Sequence, residues 1–171
     1  WLTGCGAYAL LRAWQIERLA ALVGALAWMA LPKLFAHLGA GHVSLVESLA
    51  WLPWAVLAAQ RAAQSCRALF ERRALDLVWL GAVWAVQFLA DPRVSFYSIL
   101  LSGSCLIWGS VFTGTPEHPS WFKRLGVGVL RGGLAGFVLG ILSAILWLPL
   151  AEFVTQSSRS RLTLAEAGEW S

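Results

Sequence analysis

Long apolar runs separated by short clusters of charge dominate this chain. The longest, Leu125 to Leu148, would rise about 36 Å as a helix, enough to cross a hydrocarbon core of about 30 Å with some tilt. The pattern predicts six membrane elements: a partial helix Trp1–Leu11, then Leu19–Ala36, Val43–Gln60, Ala74–Ala90, Val94–Phe112 and Leu125–Leu148. Pro32 and Lys33 interrupt the second, and Pro53 falls in the middle of the third, where a missing amide N–H kinks a helix. Broken helices at membrane depth need protein or a water-filled cavity around the freed backbone groups. The second and third elements are therefore expected to be kinked or re-entrant and to face a site.

The fold class that follows is all-α, a polytopic transmembrane helical bundle of five to six membrane elements. Residues 1–148 form its membrane region, and 149–171 an extracytoplasmic polar segment, with Pro149 expected to end the last helix. The chain opens inside an apolar stretch and closes on a polar one, so both flanks are expected to continue in a larger protein. Composition agrees with a lipid environment: 58% of the 171 residues are hydrophobic and 13% charged, too few to coat a water-soluble domain of this length.

Orientation follows from the cations of the short loops. Alternate gaps place Arg12, Arg18, Arg61, Arg67, Arg72, Arg73, Lys123 and Arg124 on one side, and Lys33, Arg93, Arg159 and Arg161 on the other. The larger set is assigned to the cytoplasm, which puts residues 37–42, 91–93 and the tail after Pro149 outside. The net charge of +4 matches cytoplasmic loops facing anionic lipid and gives no reason to invoke nucleic acid. Arg131 lies about 9 Å into its run, where its stem could snorkel to the headgroups or its charge could serve a buried function. Most of the eleven Trp residues fall near span ends, as interfacial anchors do; Trp51 and Trp54 could alternatively stack on a sugar. Cys5, Cys66 and Cys105 have neither disulfide nor metal-ligand spacing, and no cofactor motif is present.

Gly128, Gly132, Gly136 and Gly140 recur every four residues, with Ala144 continuing the stripe, and predict a close helix-packing face. Gly41-His42 opens the third element on the outer side, and Glu47 follows. His42 and Glu47 together could provide an acid and an imidazole at the membrane edge. Ser44 and Glu47 equally have capping-box spacing. Two ligands, His37 and His42, are too few for a metal site. Asp91-Pro92-Arg93 is a tight outer turn that could bind a headgroup or phosphate. Beyond Pro149 and Glu152, the run Gln156 to Arg161 offers Ser158, Arg159 and Arg161 near the surface, and guanidinium groups suit bidentate phosphate binding. Thr163 and Glu166 have the spacing of a second capping box.

The order Gly41-His42, Trp51-Leu52-Pro53-Trp54, an Arg-rich loop, an outer turn, a glycine-rich span and the exit Pro149, Glu152, Ser158-Arg159 resembles the bacterial YfhO-type membrane proteins, which are placed with the GT-C glycosyltransferases. The resemblance spans nearly the whole chain. It implies an inner-membrane protein that transfers a sugar from a polyprenyl-phosphate donor on the outer face, with Arg159, seconded by Arg161 and Arg93, on the leaving phosphate. His42, Glu47 and Trp51 would line the sugar or acceptor pocket, and Asp91, Glu152 and Ser158 would complete the binding set. Two departures matter. Ala90-Asp91-Pro92 stands where such proteins often carry Gly-His-Pro, and the catalytic carboxylate of the superfamily usually lies N-terminal to the matched region. A transporter or flippase, or a non-catalytic membrane scaffold, is the alternative, although the two halves of the chain show none of the repeat expected of a transporter.

Overall fold

The computed structural model describes residues 1–64, 74–112 and 120–156. Among them it has nine helices and no strand: α1 Leu2–Ala13, α2 Arg18–Met29, α3 Pro32–Gly39, α4 Val43–Ala50, α5 Leu52–Gln64, α6 Ala74–Ala90, α7 Pro92–Phe112, α8 Trp121–Leu142 and α9 Ala144–Gln156. Four stretches are long and apolar enough to cross a membrane: Arg18–Gly39, Val43–Gln64, Pro92–Phe112 and Trp121–Leu142. The chain is an all-α membrane protein.

The interior is built of small residues and the exterior of large ones. Ala55, Ala58, Ala59, Ala62 and Ala63 of α5 are buried, with Leu80, Val83 and Trp84 of α6, Leu106 of α7 and Ala135 of α8. Phe96, Tyr97, Leu100 and Leu101 of α7, with Phe137 and Ile141 of α8, point outward. In water that arrangement would expose far more apolar surface than a monomer tolerates. In lipid no hydrophobic force drives helices together, so association comes from close backbone approach and interhelical hydrogen bonds, both of which favour Ala, Gly and Ser at the contacts.

Each interruption has a local cause. Pro32 starts α3 at a first-turn position, where its missing N–H costs nothing. Pro53 has no N–H to offer one turn back, and the helix breaks two residues earlier, at Trp51, whose amide bonds Ser48 O at 3.2 Å. Both predicted kinks are thus present. Gly41 has φ +79°, and around it the amides of Gly41 and His42 donate to Leu38 O and His37 O. That is a Schellman ending for α3, which requires a left-handed residue at Gly41. The same ending closes α1 around Gln15, φ +63°, through Gln15 N to Arg12 O and Ile16 N to Leu11 O.

Several expectations are corrected. Pro149 does not end a helix: α9 runs through it, and the break falls at Ser143. There Ser143 Oγ donates to Leu139 O at 2.7 Å and Trp147 Nε1 to Gly140 O at 3.0 Å, so side chains take up carbonyls at the junction. Ser44 and Glu47 form no capping box; His42 occupies the N-cap of α4, which has no side-chain cap hydrogen bond. The glycine stripe is a packing face only at its start. A Cβ on Gly128 would meet Ser110 at 3.2 Å, whereas Gly136 and Gly140 have nothing within 4 Å. The close α6–α8 approach is instead at Gly81, where a Cβ would lie 2.5 Å from Ala135 O and 2.6 Å from Val138 Cβ. Trp51 and Trp54 are not simple anchors: Trp51 packs edge-on against Trp79, and Trp54 Nε1 donates to Leu2 O at 3.0 Å, tying α5 to α1.

Candidate functional site

The helix termini sort into two ends. Arg131 Nη1 donates to Ala63 O at 3.0 Å and Arg124 Nη1 to Val111 O at 3.2 Å, so the C-terminal ends of α5 and α7 meet the first half of α8. These cations satisfy terminal carbonyls and face the negative end of each helix dipole. Arg131 therefore caps α5 rather than merely snorkelling.

At the opposite end α4 runs antiparallel to α6. Ser48 Oγ donates to Gln87 O at 3.2 Å and Gln87 Nε2 donates to Ser48 O at 3.0 Å. Four residues back from Ser48 along α4 and four onward from Gln87 reach the same level, which sets the start of α4, next to His42, level with Asp91. Ser98 Oγ of α7 donates to Gln87 Oε1 at 2.8 Å, Trp84 Nε1 to Ser102 Oγ at 2.9 Å, and Ser102 Oγ to Ser98 O at 2.6 Å. These buried groups satisfy one another and lock α4, α6 and α7 beneath the α6–α7 turn. The sequence held a signal for the α7 share of this network: Ser95, Ser98 and Ser102 fall at three- and four-residue steps on one face of an otherwise apolar helix.

Asp91 is the buried acid of this end, 3% exposed. Its Oδ1 accepts the amides of Arg93 at 2.9 Å and Val94 at 3.4 Å, which makes it the N-cap of α7 with Pro92 in the first helical position. The Arg93 side chain doubles back on the same carboxylate, Nε to Oδ1 at 3.3 Å and Nη2 to Oδ2 at 3.0 Å, while remaining 82% exposed. The Arg93 guanidinium, first, and the two amides hold the Asp91 carboxyl below its ordinary range against the desolvation that would raise it. A guanidinium carries five N–H groups, and Asp91 uses two of them, so the outer edge of Arg93 is open to a second anion.

The other candidates gather less closely. His42 and Glu47 are exposed on α4, and the His42 and His37 rings lie 5.7 Å apart between centroids. Glu47 makes no ion pair with Arg93 among the described residues. Glu152 lies on exposed α9, accepting from Gln156 Nε2 at 3.3 Å, and α9 packs on α8. Ser158, Arg159, Arg161 and the Thr163–Glu166 pair lie outside the described residues. No group of three or more His, Cys, Asp or Glu placed to hold a metal occurs among the described residues. Two surface recesses, one lined by Tyr8, Arg18, Leu19 and Leu22 and one between α1, α5 and α7, include none of the candidate residues in their walls. Compared with known proteins, the chain matches no family model, no curated protein and no solved structure.

Proposed function

We propose that this chain is part of the membrane domain of a GT-C-like glycosyltransferase that takes a sugar from a polyprenyl-phosphate donor at the extracytoplasmic face of a bacterial inner membrane. The observation that carries this reading is the Asp91–Arg93 turn. A buried carboxylate presents an exposed guanidinium with an unused edge, at the end of the bundle assigned to the outer leaflet. Such an edge suits a phosphate, and fixing it beforehand lowers the cost of ordering a long side chain on binding. In the reaction the acceptor hydroxyl attacks the anomeric carbon, and polyprenyl phosphate leaves with the electrons of the broken C–O bond. Arg93, with Arg159 and Arg161, stabilises that departing charge. His42, level with the turn, Glu47, about one helical turn deeper, and Trp51, about two turns deeper, border the sugar or acceptor. The base comes from outside this sequence.

The hydrogen-bonded interior supports this reading over a transporter. Gln87, Ser48, Ser98, Ser102 and Trp84 bond one another and have little capacity left for a translocated solute. The test is binding of a polyprenyl phosphate to the protein that contains this chain. Arg93→Ala should weaken it roughly fivefold, as expected for one cation at a membrane surface, with Arg93→Lys intermediate because it keeps the charge and loses the fork. Unchanged affinity and unchanged turnover in Arg93→Ala would remove the basis of the proposal.

A further inference from the structure

The C-terminal ends of α1, α5 and α7 bound a groove of about 400 Å³ at the cation-rich end, away from the outer turn. Trp14 of the α1 end, Gln60 and Gln64 of α5, and Leu101, Ser104 and Trp108 of α7 contribute to its wall, which is mostly apolar. Between Leu101 and Trp108 that wall runs roughly 10 Å along α7 at 1.5 Å per residue, most of the depth of one leaflet of about 15 Å. Trp14 and Trp108 are half or more exposed and place amphipathic rings where chain meets headgroup. Arg61 sits next to Gln60 and about 60° around the helix from Gln64. It is exposed and has no hydrogen-bond or ion-pair partner among the described residues, whereas Arg124 and Arg131 at the same end bond carbonyls.

We propose that this groove seats one acyl chain of an anionic phospholipid whose headgroup phosphate is met by Arg61. The shape selects a chain over a compact solute, because the groove is apolar, open to its side and leaflet-deep. The charge selects an anionic headgroup, because the exposed Arg61 guanidinium stands beside the mouth. This lipid site is independent of the glycosyltransferase reading and lies at the other end of the bundle.

The experiment compares phosphatidylglycerol with phosphatidylcholine of identical acyl chains, by the amount of each retained on the purified protein in native mass spectrometry. Wild type should retain the anionic lipid roughly fivefold better, the preference one surface cation supplies. Arg61→Gln should abolish the preference while leaving chain binding. Ser104→Trp should fill the groove and lose both lipids; Ser104 is exposed and, among the described residues, bonds only Leu100 O of its own helix, so the substitution leaves the interhelical network alone. A second readout does not depend on that variant. In a Cys5→Ser, Cys66→Ser background, phosphatidylglycerol should slow maleimide labelling of Cys105, which also lines the groove, and inorganic phosphate should not. Equal retention of the two lipids, undiminished phosphatidylglycerol on folded Ser104→Trp, or Cys105 labelling that ignores lipid or responds to phosphate alone would each overturn the proposal.

Discussion

Substituting Gly81 and Gly136 in parallel tests how this bundle is held together. A methyl group on Gly81 would sit 2.5 Å from Ala135 O and 2.6 Å from Val138 Cβ. Non-bonded carbons prefer about 3.5–4.0 Å, so α6 and α8 would have to separate by about an ångström. Overpacking of this kind costs about 1–3 kcal/mol, offset by the ~1 kcal/mol that Ala gains over Gly in a helix. Gly81→Ala should therefore lose about 1 kcal/mol. At Gly136 nothing lies within 4 Å, and Gly136→Ala should keep the helix gain of ~1 kcal/mol. The two variants then differ by about 2 kcal/mol, or roughly 4–8 °C in melting temperature for a chain of this length. Tryptophan fluorescence during thermal unfolding in one detergent measures the gap. If Gly81→Ala melts at or above wild type, or Gly136→Ala falls as far as Gly81→Ala, the close α6–α8 approach is refuted.

Gln87→Leu deprives Ser98 Oγ and Ser48 O of their partners and should lower stability by about 1–2 kcal/mol, at ~0.6 kcal/mol or somewhat more for each interhelical bond; Ser104→Ala, which breaks only a bond within its own helix, is the control and should melt like wild type. Asp91 ionises below its ordinary value in the folded protein, so its contribution is complete above the unfolded aspartate value of about 3.9 and is lost as the pH falls through the lower folded one. Melting temperatures from pH 6 down to pH 3 should therefore drop more steeply for wild type than for Asp91→Asn, and parallel curves would contradict the cap. Asp91→Ala should cost about 1 kcal/mol at neutral pH by the loss of the α7 cap, measured by the same melts. Sidedness is checked with single cysteines in intact cells: one at Gln64 should be shielded from an impermeant thiol reagent and one at Thr155 should label, and the reverse pattern would invert the orientation on which the outer site depends.

The apolar runs and the breaks at Pro32 and Pro53 were legible in the sequence, because lipid forces every backbone group to be satisfied within its own helix, whereas the break at Ser143 and the helix that continues through Pro149 were not. Spacing between charges therefore maps directly onto spans, and Pro32 and Pro53 mark breaks whatever packs around them. The Asp91-Pro92 start of α7 was readable for the same local reason, although its acid serves as a cap and a clamp on Arg93 before it serves any ligand. Tertiary structure decided which small residues meet. The stripe of Gly128, Gly132, Gly136 and Gly140 looked like one tight seam, yet only its start at Gly128 is closely met and the tighter approach to α8 is at Gly81, since a small-residue face reports the capacity for approach and not the partner that uses it. Nor could spacing reveal that Arg131 caps Ala63, that Trp54 reaches Leu2, or that Ser48 and Gln87 are the partners the α7 serine face meets. Those bonds join residues far apart in the chain, and they exist only because helix packing excludes other partners and makes an unpaired polar group in that interior costly.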